Sequence, residues 1–372
     1  MRPATGARLG AAILACLLGL VLPARAAEEV PAYAVDAAWP KPLPNNWGLG
    51  QVASVAVDRH DHVWIIHRPR TMTEDERGAT LNPPRSICCV PAPSVIEFDP
   101  DGNVVRAWGG PGFHPAWPAN EHGITVDAED NVWVGGNGPN DHVVLKFTRE
   151  GRFLTQLGRT GETGGSNDTE RLGRPAEVAV DEAAHEVYVA DGYGNRRIIV
   201  FDSNTGAYKR HWGAYGRRPG PDEALPPYRP GLEPAQSFRN PVHCVRIAQD
   251  GLVYVCDRGN DRIQVFRKDG SFVREMLVAP ETLGEGSVWD LDLFPDPAQS
   301  VLLTADGTNN LVWELARPDG SVLGRFGRSG RQAGEFHWVH SIAVDSRGNV
   351  FTTEVDTGKR VQRFRLVSQL PR

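Results

Sequence analysis

Short runs in which apolar and polar residues alternate recur along the chain, separated by turns rich in Asp, Asn and Gly. One such run is Ala53-Ser54-Val55-Ala56-Val57-Asp58, and its counterparts occupy 122–127, 176–181, 243–248, 289–294 and 340–345. Each is followed within a few residues by a second run carrying an aromatic or Leu, at Trp64, Trp133, Tyr188, Tyr254, Leu303 and Phe351. A third ends at Phe98, Phe147, Phe201, Phe266, Leu315 and Phe364, and in five cases a Gly-containing turn leads into a fourth, such as Val104-Val105-Arg106-Ala107-Trp108. Period-two patterning over short segments predicts antiparallel strands, and nothing after residue 26 shows a convincing helical period.

The repeating unit is therefore four strands, present six times, and the sixth copy lacks its fourth strand because the sequence stops. Tyr33-Ala34-Val35-Asp36 precedes the first copy and has no partner of its own. Pairing it with the last copy closes a ring and removes the exposed edges that sheet proteins must protect. The expectation is an all-β, six-bladed β-propeller closed by an N-terminal strand, with residues 27–372 as one domain. The 40 Gly and 29 Pro among 372 residues suit many short elements.

The first 26 residues read differently. Arg2 and Arg8 precede an apolar stretch over 9–22, followed by Pro23 and Ala24-Arg25-Ala26. That is the layout of a cleavable export signal, with the cut expected after Ala26 and the mature protein in the periplasm or outside the cell. No later stretch is long and apolar enough for a membrane span. Removing the leader's three Arg from a formal charge of −6 leaves −9, which argues against a nucleic-acid partner held through phosphates. Cys88, Cys89, Cys244 and Cys256 remain, in a compartment that permits disulfides. Cys244 and Cys256 flank the Gln249-Asp250-Gly251 turn, so they can face each other across a hairpin, while Cys88-Cys89 is a vicinal pair in a loop.

In a propeller the first strand of each blade lines the axis, so its first residues form a ring: Ala53, His122, Ala176, His243, Trp289 and His340. Histidines from alternate blades are related three-fold, and three imidazoles with an open fourth position suit a catalytic zinc. Three residues past the aromatic of the second strand stand His67, Gly136, Asp191, Asp257, Asp306 and Glu354, whose acids are expected to brace loops. Arg68 and Arg258 follow in opposite blades, where guanidinium forks suit a carboxylate. Tyr193 stands in Asp191-Gly192-Tyr193-Gly194-Asn195-Arg196. Insertions at 69–94 and 213–237 leave at the histidine face and suit either a specificity wall or plain decoration.

These repeats, with Asp191-Gly192-Tyr193-Gly194-Asn195-Arg196 and Asp257-Arg258-Gly259-Asn260-Asp261-Arg262, resemble NHL repeats. Among NHL proteins the chain is similar to peptidyl-α-hydroxyglycine α-amidating lyase, most sharply at Gly50-Gln51-Val52, His67-Arg68, Glu121-His122-Gly123, Pro241-Val242-His243 and Val339-His340-Ser341. The resemblance implies that His122, His243 and His340 hold zinc, that Tyr193 is the base, and that Arg68 and Arg258 bind the carboxylate of a small-molecule or peptide substrate. It implies cleavage of an α-hydroxyglycine N–C bond to an amide and glyoxylate. A phenol titrates near 10, so a tyrosine base needs a metal or cation beside it. The family's axial calcium would use the main-chain carbonyls of Val55 and Ile124, but its carboxylate ligand is replaced by Ser341. The cysteine after the tyrosine is replaced by Gly194. Two other readings compete. A lactonase-like propeller hydrolase would use a metal held by acids such as Asp257, Asp306 and Glu354, and a non-catalytic NHL binding module would need no metal.

Overall fold

The computed structural model describes residues 29–220 and 225–371. The expected leader, 1–26, lies outside the described residues. Six four-stranded antiparallel sheets follow one another around an axis. Their innermost strands are Gln51–Val57, Glu121–Val126, Glu177–Asp181, Val242–Ile247, Asp290–Leu293 and Val339–Val344. In the sixth blade the order from the axis outward is Val339–Val344, Val350–Glu354, Val361–Pro371 and then Glu29–Val35, so the N-terminal strand supplies the outermost position. The molecule is an all-β six-bladed propeller, and among the described residues the helical pieces are four short 3₁₀ turns. No helix among them is long and apolar enough to cross a membrane.

The recurring Asp after the first strand has a local cause. Asp58 accepts the amides of His60 and His62 with one oxygen and the Trp64 indole N–H at 3.0 Å with the other. Asp127 does the same for Glu129, Asn131 and Trp133. A single carboxylate thus closes the turn and anchors the aromatic that fills the blade interface. At the other end of the second strand, Asp191 pairs with Arg197 at 2.9 Å, Asp257 with Arg262 at 2.7 Å and Glu354 with Arg360 at 2.6 Å. The cores are packed between blades: Trp64, Ile66 and Val95 of the first blade meet Val132, Val134 and Leu145 of the second. Cys244 and Cys256 are directly opposed and disulfide-bonded, and Cys88 and Cys89 bond to each other.

Candidate active site

The three histidines reach the axis because the ladder is interrupted where they stand. Register irregularities fall between Val242 and Cys244, between Val339 and Ser341, and between Glu121 and Ile124, leaving His243, His340 and His122 unpaired. A bulge of this kind bends the strand and re-aims a side chain. Ala53 sits at the matching irregularity in the first blade.

Each imidazole is locked by the neighbouring blade. Nδ1 of His122 donates to the Ala176 carbonyl at 2.8 Å, Nδ1 of His340 to the Ala53 carbonyl at 2.6 Å, and Nδ1 of His243 to the Trp289 carbonyl. The acceptors are the other three members of the same ring, so histidines and their anchors alternate around the axis. Gly123 is required by this arrangement, since a Cβ there would stand 2.4 Å from the Ala176 oxygen. With the proton on Nδ1, Nε2 of each ring is a bare acceptor. The ring centroids form a near-equilateral triangle of 4.8, 4.9 and 4.9 Å. Burial, reinforced by Arg68 and Arg258, lowers the His122 pKa to about 3, and burial drives His243 and His340 well below the ordinary value. The rings are therefore neutral at pH 7.

Tyr193 completes the cluster. Its hydroxyl stands 2.9 Å from Nε2 of His122 and 3.0 Å from Nε2 of His243. One O–H proton cannot serve both acceptors, and the third Nε2 faces the same space. Three convergent lone pairs with too few protons are the donor set of a borderline metal, so the residues fit such an ion. Behind the imidazoles the axial space is only about 10 Å³, so the site closes on that side.

Cations surround the tyrosine. Arg68 is buried, donating through Nε to the Glu121 carbonyl at 2.7 Å and through Nη1 to Gln51 at 2.8 Å. Arg258 is 5% exposed, lies over the Trp289 ring at 4.2 Å and stands 6.0 Å from the Tyr193 ring. Arg174, which the repeat pattern did not single out, lies 5.8 Å from that same ring and accepts the Tyr193 amide with its carbonyl at 3.2 Å. Trp289 and Trp338, 5.2 Å apart, form an apolar wall beside His340. No sequence signal marks Arg174 or Trp338, because both arrive from loops between blades.

The calcium set does not fit. Ser341 donates to Asp290 at 2.7 Å and accepts the Val55 amide at 3.2 Å, so a neutral hydroxyl stands where a charged ligand is needed. Arg246 crosses the axis below, paired with Glu177 and lying 3.5 Å from Asp290 and 4.0 Å from Asp292. The acids there are already engaged by main-chain donors: Val245 on Glu177, Leu291 and Ile342 on Asp290, and Leu293 and Val344 on Asp292. Burial pushes the Glu177 carboxyl up, against the pull of Arg246. The guanidinium of Arg246 thus already balances Glu177, Asp290 and Asp292, and no carboxylate stands at Ser341 to join the Val55 and Ile124 carbonyls.

The acids of the second-strand column are also engaged elsewhere. Asp257 accepts from Arg239, Asn260 and Arg262, and Asp306 from Asn309 and Trp313. Glu354 accepts from His337, Arg360 and Gln362. His67 is a brace, accepting the Gly50 amide at Nδ1 and donating from Nε2 to Pro93. The insertion at 69–94 leans on the rim through Arg70, which donates to the Pro118 carbonyl at 2.9 Å.

A family model described as NHL repeat matches residues 241–266. Mouse NHL repeat-containing protein 3 is 28% identical over 353 residues, covering 90% of this chain and 85% of that protein. Peptidyl-glycine alpha-amidating monooxygenase A of Xenopus laevis is 31% identical over 268 residues, but this chain spans only 26% of its length. Peptidyl-alpha-hydroxyglycine alpha-amidating lyase 1 of Drosophila melanogaster is 28% identical over 359 residues, covering 89% of this chain and 59% of that protein. A streptogramin B lyase structure shares the fold, with a TM-score of 0.50 at 11% identity over 90% of this chain and 98% of that one. The fold is a six-bladed β-propeller, and one segment of it matches the NHL repeat. Within that class the chain resembles the peptidyl-α-hydroxyglycine α-amidating lyases.

Proposed function

We propose that this chain is an extracytoplasmic, zinc-dependent lyase that cleaves the N–C bond of an α-hydroxyglycine-type substrate to an amide and glyoxylate. The observation that carries the reading is the meeting of three bare imidazole Nε2 atoms with one tyrosine hydroxyl, among buried arginines. His122, His243 and His340 would hold the zinc, which supplies Lewis acidity toward a substrate oxygen.

The chain's own groups do the rest. Arg258, whose guanidinium lies over the Trp289 ring, and Arg68, fixed by Gln51 and the Glu121 carbonyl, hold the substrate carboxylate that leaves in glyoxylate. Tyr193 acts in its phenolate form, favoured by the arginines around it: it takes the proton of the α-hydroxyl as that oxygen forms the new C=O bond, and returns it to the departing amide nitrogen. The proton lost from oxygen is the one gained by nitrogen, so neither water nor an oxidant is consumed. Arg174 and Arg258 place positive charge where negative charge develops during that transfer. The apolar wall of Trp289 and Trp338 suits the acyl side of the substrate.

The lactonase-like alternative loses ground because Asp257, Asp306 and Glu354 are bound to loop amides and arginines rather than facing the axis. The first test is metal analysis of purified protein and a His243→Ala variant, followed by an assay of glyoxylate release from an N-acyl-α-hydroxyglycine. About one zinc per chain, lost in the variant, with glyoxylate formed, is the expected result. A folded, metal-free protein would leave a binding propeller instead.

A further inference from the structure

Arg258 already holds a carboxylate belonging to the chain. Its Nη2 donates to Glu285 Oε2 at 2.7 Å, in a pair whose arginine side chain is 7% exposed and whose glutamate is 54% exposed. This is not an ordinary surface ion pair, because one partner is almost fully desolvated. The Nε of Arg258 is buried and has no hydrogen-bond partner. A guanidinium edge binds carboxylate best through two parallel bonds, so the Nε–Nη2 edge is half filled by Glu285.

Glu285 sits in the connection between the outermost strand of the fourth blade, Phe272–Leu277, and the innermost strand of the fifth, Asp290–Leu293. The loop is held at Gly286 on one side and, on the other, at buried Thr282, whose hydroxyl accepts from Asn309 at 2.9 Å. Gly286, at φ +80°, lies so close to Arg258 that a Cβ would stand 2.0 Å from its carbonyl oxygen, and its own carbonyl accepts the Trp289 indole N–H at 2.9 Å. Gly284, at φ +74°, has nothing within 4 Å of the position a Cβ would occupy. The anchors keep the carboxylate within reach of Arg258, while the open space around Gly284 leaves room for the side chain of Glu285 to be displaced.

We propose that Glu285 is a built-in surrogate carboxylate that occupies Arg258 in the free protein and is displaced by the carboxylate of the ligand. The inference rests on the reading of Arg258 as a carboxylate-binding residue. Glu285 then sets how strong a carboxylate must be to enter: a ligand able to use both Nε and Nη2 displaces it, and a single-point contact does not. It also keeps the desolvated guanidinium from capturing small anions when no substrate is present.

The test is binding of N-benzoylglycine and glyoxylate to the metal-loaded protein, followed by Trp fluorescence, since Trp289 lies against Arg258, and by calorimetry. The uncharged N-benzoylglycinamide serves as the control. Glu285→Gln is expected to tighten both carboxylates about tenfold with no effect on the amide, and to lower KM for an N-acyl-α-hydroxyglycine without lowering kcat. Glu281→Gln, which removes a charge from the same loop away from the fork, is expected to leave the carboxylate affinities unchanged. Equal affinities in wild type and Glu285→Gln would overturn the proposal while leaving the lyase reading intact, as would equal tightening by Glu281→Gln. Failure of either carboxylate to bind wild type or Glu285→Gln would remove the proposal together with the carboxylate role of Arg258.

Discussion

Tyr193 and His67 show how differently two polar side chains of one molecule can be employed. Tyr193 offers a single proton to two imidazoles and stands among arginines, which marks it for proton transfer. Tyr193→Phe is expected to retain the metal and the fold but to lower kcat for glyoxylate release by roughly 10²–10⁴; metal analysis beside the turnover assay separates the two effects. His67 is fully buried, and that burial lowers its pKa to about 4. An unfolded histidine titrates near 6.5, so below that pH the unfolded chain takes up a proton that the folded one refuses. The stability from this residue is complete above pH 6.5, falls as pH drops toward 4 and is level below that, a change of about 3 kcal/mol at most. Denaturant unfolding at pH 7 and pH 4.5 should show a smaller difference for His67→Gln than for wild type, although the variant is less stable at pH 7.

The strands carry the site through their irregularities. Alternation made the blades legible, because Asp58-to-Trp64 and Asp127-to-Trp133 spacings repeat a real hydrogen bond. The column of His122, His243 and His340 was legible for the same reason. What the pattern could not display was the bulge at each histidine, which is a property of pairing between strands, or the carbonyl of Ala53, Ala176 or Trp289 that fixes each ring from another blade. Gly123 tests this layer. Gly123→Ala would drive a methyl into the Ala176 carbonyl, and the expected outcome is a loss of about 1–3 kcal/mol of stability with weakened metal retention; thermal melts with and without added zinc would read both. Cys244 and Cys256 were legible as a hairpin pair, and their bond staples the strand that carries His243 to its neighbour.

Across the molecule, Arg246 illustrates why some of the centre was not readable. In an inner strand an arginine at an alternating position looks solvent-facing, and only the convergence of six blades puts it on the axis between Glu177, Asp290 and Asp292. Because this guanidinium supplies the axial positive charge, EGTA at concentrations that spare zinc should leave the melting temperature unchanged, and purified protein should contain no stoichiometric calcium. A calcium-dependent shift of several degrees would count against that arrangement. Ring closure has its own expected cost. Deleting residues 1–36 strips Val30, Tyr33 and Val35 from the core they share with Phe326, Phe336 and Phe364. The loss should be on the order of 5 kcal/mol at roughly 1.5–3 per side chain, with aggregation through the bared edge strand; chemical denaturation and light scattering would measure the two.

The contact between His340 and Ala53 joins positions 287 residues apart. His340 is synthesised 287 residues after Ala53, whose carbonyl aims its ring. A chain still emerging from the ribosome, or one truncated before its sixth blade, can assemble two of the imidazoles but never the third in its working orientation. The chemistry proposed for this centre is therefore withheld until the circle is shut, and turnover would itself certify that all six blades have closed.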